Sequence, residues 1–171
     1  MKRILSVISI MMLFIGVGQA QRFAFVDTEY ILLNIPAYKA AQDQIDELSK
    51  EWEQEIKQKY DEIEKLYKDY QAEKVLLTEE MRVKREEEII NKEKAVKELQ
   101  QQYFGREGEL FKKRQELIEP IQDQVYNAVK EIATEGNYAG IFDSSGSPSI
   151  LFANPKNDVS DEVLTKLGYK N

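Results

Sequence analysis

From Ala37 to about Ala133 the chain is free of glycine and proline except at Gly105, Gly108 and Pro120, and Glu, Lys, Gln, Ala and Leu dominate it. These are strong helix formers, so most of this stretch must be helix. One helix of that length would not fit a compact domain, and the apolar pattern shows where it folds back. Ile56, Ile63, Tyr70 and Leu77 keep one seven-residue step, with Tyr60, Tyr67 and Met81 on the flanking offset; Ile89, Val96, Tyr103, Leu110 and Leu117 keep another. The two frames do not join. Between them lies "VLLTEEMRVKREEEI", where Thr78 can cap a new helix and Glu79 and Glu80 supply the charge that a helix N-terminus prefers. The pattern predicts a helical hairpin over residues 36–119 with its tip near 75–79. Each arm would be roughly 60 Å long at 1.5 Å per residue. Its apolar seam is narrow, so the hairpin should project into solvent.

What holds such an arm in place must come from the ends of the chain. "RFAFVD" (22–27), "YAGIFD" (138–143) and "SILFAN" (149–154) read as three short buried strands, the last two joined by the turn "SSGSP". Asp27 can cap a short helix over "TEYILLN" that Pro36 ends. "SDEVLTKLG" reads as a last helix with Ser160 as its cap and Gly168 as its stop. Pro120 should kink the returning helix where it enters this body, which spans 21–35 and 120–171. Three strands of about six residues are marginal alone. Association of several chains around a shared core is the expected remedy.

Residues 1–20, "MKRILSVISIMMLFIGVGQA", have the basic start, apolar stretch and small-residue cleavage site of a secretory signal. The apolar run Ile4–Val17 is shorter than the roughly 20 residues of a membrane span. Without Lys2 and Arg3, the 24 basic residues fall to 22 against 31 acidic ones, a net charge of −9. That balance argues against nucleic acid as a partner. The chain has no cysteine and no histidine, which removes disulfides, Cys/His metal sites and histidine general bases from consideration. No cofactor is expected, and enzymatic chemistry has little to work with.

An "FAFVD" strand after the signal, a long charged hairpin and the closing block "NYAGIFDSSGSPSILFANPKNDVSDEVLTKL" together resemble the Skp/OmpH family of periplasmic chaperones for outer-membrane proteins. The resemblance covers residues 21–168 and implies an α+β fold: a small β body with a long antiparallel coiled-coil arm, assembled as a jellyfish-like homotrimer. It implies a periplasmic, ATP-independent holdase that encloses unfolded outer-membrane β-barrel proteins between its arms. A structural coiled-coil or adaptor subunit of the cell envelope is the alternative. One departure stands out. The best-known members are basic, whereas residues 39–115 here count 17 Lys and Arg against 20 Asp and Glu. Client contact is therefore expected to lean on apolar side chains.

The candidate client-binding residues of the arm are Trp52, Tyr60, Tyr67, Tyr70, Phe104 and Phe111. Those in the heptad frame can equally be seam packing, whereas Phe104 and Phe111 lie off it or at its edge. Phe23, Phe25, Val26, Ile141, Phe142, Ile150, Leu151 and Phe152 are expected to build the trimer body. Arg82, Lys84 and Arg85 form a basic cluster at the tip, read either as a solvated face paired with Glu86, Glu87 and Glu88 or as a weak contact with a membrane surface. Gly105 and Gly108, placed within the helix, either make room for Trp52 across the hairpin or act as a hinge. Asp27 and Asp143 end apolar strands, where capping and turn initiation explain them more simply than acid/base chemistry.

Overall fold

A computed structural model describes residues 21–146 and 150–169. The expected signal, the end of the "SSGSP" turn and the start of the third strand lie outside the described residues. In chain order the elements are β1 (Arg22–Val26), α1 (Thr28–Leu33), α2 (Pro36–Glu73), α3 (Glu79–Phe104), α4 (Glu109–Glu135), β2 (Tyr138–Asp143), a 3₁₀ turn (Pro155–Asn157) and α5 (Ser160–Lys166).

The hairpin forms as its heptads require. Pro36 occupies the first turn of α2, where its missing N–H costs nothing. The Thr78 hydroxyl accepts from the Met81 amide at 3.3 Å and starts α3, with Glu79 and Glu80 in the first turn. Ile56, Ile63 and Tyr70 pack against Ile89 and Val96 along one seam, with Leu66, Leu77, Leu99, Tyr103 and Phe104 partly buried beside it.

A second, larger core forms the body. Ala24, Val26, Ile31, Ile35, Val159, Val163 and Leu164 meet Ile118, Ile121, Val125, Ala128 and Ile132 of α4, and Ala41 and Ile45 of α2 join them. The body thus extends further along both arm helices than the expected boundaries at 36 and 119. Leu110 and Leu117, expected in the arm seam, pack against this body core instead. β1 and β2 pair in parallel, with Phe25 opposite Phe142 and Val26 opposite Asp143. A parallel pair needs a long crossover, and the whole arm serves as that connection.

Three expectations need correction. Residues 150–154 carry no strand. Their composition suits one, but β1 pairs with β2 and, beyond its other edge, forms only an isolated bridge from Phe25 to Asp158. The returning helix, expected to be continuous through Gly105 and Gly108, is broken there, and α4 contains Pro120. Finally, the Ser160 side chain does not cap α5. Its hydroxyl donates to Asp158 at 2.6 Å and accepts from the Asp27 amide at 2.9 Å, which ties α5 to the end of β1. Gly168 does stop the helix: at φ +88° it holds the left-handed conformation that glycine adopts without steric cost, and the Tyr169 amide reaches back to the Leu164 carbonyl at 2.8 Å.

Candidate functional site

The arm aromatics divide into two groups. Tyr70 is 4% exposed and sits in the seam, where its hydroxyl donates to Glu86. That hydrogen bond, then burial and the Glu86 charge, hold its phenol above the ordinary value. Trp52 stacks on Tyr103 with ring centroids 4.7 Å apart and meets the edge of Phe104 at 6.3 Å. The Tyr103 hydroxyl donates to Glu55 at 2.8 Å and closes this cluster. Trp52, Tyr70 and Phe104 therefore hold the arm's own helices together. Tyr60, Tyr67 and Phe111 are exposed.

A set of exposed aliphatic residues goes unmarked by the heptad frames. Val75 and Leu76 at the tip are 88% and 83% exposed, and Val83 and Ile90 follow on α3; Met81, on the flanking offset, is exposed with them. Val83 and Ile90 are themselves one heptad apart, a spacing that marks one helix face. Their signal was legible, but each stands next to a seam position rather than on it.

At the tip, Arg82 donates to the Leu77 carbonyl at 3.3 Å and pairs with Glu79 at 3.4 Å, and Arg85 pairs with Glu88 at 3.1 Å. These are exposed pairs that contribute little to stability. Lys84 is exposed beside them.

Around the sheet, Val26 is buried in the chain's own core and Phe25, Ile141 and Ile150 are half-buried. Phe23 and Phe142 are exposed and face each other with centroids 5.8 Å apart. Leu151 and Phe152 are 97% and 78% exposed. A groove of about 330 Å³ runs between α1, α4 and the sheet, lined by Val26, Leu32, Val125, Tyr126 and Ile141 among others.

Asp27 caps α1 by accepting from the Tyr30 amide at 2.9 Å. Asp143 accepts from the Thr28 hydroxyl at 2.7 Å and from the Ser145 amide at 2.9 Å. Burial pushes the Asp143 carboxyl up, but these hydrogen bonds together outweigh it and hold the group below its usual value. Both aspartates fix local structure. Among the described residues no cluster of acidic side chains could hold a metal ion, and no helix is long and apolar enough to cross a membrane.

The sequence profile of the family described as outer membrane protein (OmpH-like) matches residues 22–167. The chain belongs to the OmpH-like family. Its fold is similar to the crystal structure of an OmpH-like protein from Caulobacter crescentus CB15, described there as a candidate outer membrane chaperone, with a TM-score of 0.68 at 14% identity. The likeness covers 86% of this chain and 84% of that one. No curated protein sequence matches the chain. The OmpH-like assignment accounts for the long helices and the small two-stranded sheet together.

Proposed function

We propose that the protein is an ATP-independent holdase of the periplasm that encloses unfolded outer-membrane β-barrel proteins between its arms and keeps them from aggregating. The observation that carries this reading is the distribution of exposed apolar side chains along a thin projection: Tyr60, Tyr67, Val75, Leu76, Val83 and Ile90 are all open to solvent. Burying apolar surface yields about 25 cal/mol per Å². Scattered single residues therefore offer a client many weak contacts and no fixed conformation.

The exposed Phe23, Phe142, Leu151 and Phe152 are surfaces for neighbouring copies, and three copies would place the arms around a common space. Export through residues 1–20 would deliver the chain to the periplasm. Diluting a urea-unfolded β-barrel protein into nucleotide-free buffer tests the activity. With residues 21–171 present, light scattering should stay low; scattering that rises as fast as in buffer alone would refute the holdase reading.

A further inference from the structure

The segment read as a secretory signal ends one residue before β1 begins. Gly18, Gln19 and Ala20 form its cleavage site, so removal of residues 1–20 makes Gln21 the first residue of the exported chain. β1 starts at Arg22, and Gln21 lies outside it, open to solvent.

The body depends on this strand. β1 pairs with β2 along its length, and Ala24 and Val26 are 0% and 3% exposed in the core. Its first residue is clamped in place. The Arg22 guanidinium donates to the Gly136 carbonyl and to the Tyr138 hydroxyl, both at 3.3 Å, and lies 4.7 Å from the centre of the Tyr138 ring. Chain ends are where proteolysis concentrates, and here a single residue separates the end from the clamp. An exopeptidase that removed Gln21 would meet Arg22 at its next step.

Glutamine at this position brings its own chemistry. Its α-amine and its side-chain amide carbon are joined through Cα, Cβ and Cγ, so attack closes a five-membered ring without bringing two molecules together. An ordinary α-amine has a pKa of about 8, which leaves roughly a tenth of it as the free nucleophile at neutral pH. We propose that Gln21 of the exported chain is converted to pyroglutamate, a cyclic N-terminus that closes β1 to aminopeptidases. The amine nitrogen bonds to Cδ, the Cδ–Nε2 bond breaks, and the departing nitrogen takes the amine's proton and leaves as ammonia. No oxidant, cofactor or second substrate enters. The exposure of Gln21 keeps this end accessible to the reaction after folding. The lactam has no ionisable amine, so cyclisation also removes a positive charge next to Arg22. The modification rests on the export reading, since cleavage after Ala20 is what frees this amine.

The exported protein, taken from its own cells, tests it. Its free amines are dimethylated while it is intact, so that cyclisation during later handling does not count, and it is then cleaved before Asp27 for mass spectrometry. The peptide of residues 21–26 should be lighter than its sequence by one ammonia and carry no label at its start. Gln21→Asn keeps a side-chain amide but would have to close a four-membered ring. Its terminus should be labelled in full, and an aminopeptidase should remove its first residue under conditions in which the wild type keeps its own. A labelled Gln21 of full mass in the wild type overturns the proposal and leaves export standing. A chain that still begins at Met1 overturns both. A variant that resists the aminopeptidase as the wild type does overturns the protective role of the ring.

Discussion

The seam of the arm is one residue wide at each layer, so single side chains carry much of it. Ile63 is buried against Val96 and its neighbours with no second layer behind it. Ile63→Ala should cost about 2–3 kcal/mol, toward the lower end for core truncations because a two-helix seam can partly close over the gap. Urea unfolding followed by circular dichroism would measure the loss, and an unchanged midpoint would show that the arm is held otherwise. Asp143 gives a pH signature. Its carboxyl lies below the ordinary value when folded. Its contribution is therefore complete above the unfolded value of about 4 and disappears as the pH falls through the folded one. The stability gap between wild type and Asp143→Asn should be constant near neutrality and close in acid. A gap that persists in strong acid would contradict the Thr28 and Ser145 hydrogen bonds as its source.

Among the elements, the break between α3 and α4 is the least expected. Gly105 ends α3 and Gly108 begins α4. A Cβ at Gly105 would overlap the Gln101 carbonyl, and one at Gly108 would lie 2.7 Å from the Tyr103 carbonyl. Backbone atoms are the first that such a Cβ would meet at either position, and the Trp52 indole is not among its three nearest neighbours. Gly105→Ala with Gly108→Ala should force the turn to rearrange and lower stability by about 1–3 kcal/mol, disturbing the Trp52–Tyr103 stack in near-ultraviolet circular dichroism. An unaltered spectrum and melting point would place the glycines' role elsewhere. The sequence hid this break because one glycine costs a helix only about 1 kcal/mol, and because Tyr103 and Leu110 keep their heptad step across it. The tip was legible since Thr78 and its glutamates act within a single turn. So were β1 and β2, whose apolar runs are bounded by polar residues. Ile150–Asn154 misled for the opposite reason: a strand needs a partner edge as well as composition, and one chain does not provide it.

At the scale of the molecule, the described residues build a body of two parallel strands, short helices and one apolar core that supports an arm whose α2 helix alone contains 38 residues. The body leaves Leu151 and Phe152 in water and an apolar groove open beside its sheet. Apolar surface of this kind marks an interaction site, and in the proposed assembly further copies cover it. If client capture depends on the exposed apolar side chains of the arm, raising the ionic strength should leave the complex with an unfolded β-barrel largely intact; dissociation on adding salt would instead assign the affinity to charge. The central claim is that the body is completed by three copies, which directs the arms around a shared space. The mass of residues 21–171 in solution, followed by sedimentation down to micromolar dilution, tests it most directly. The account expects a folded species of three chains; a folded single chain at every concentration would contradict it.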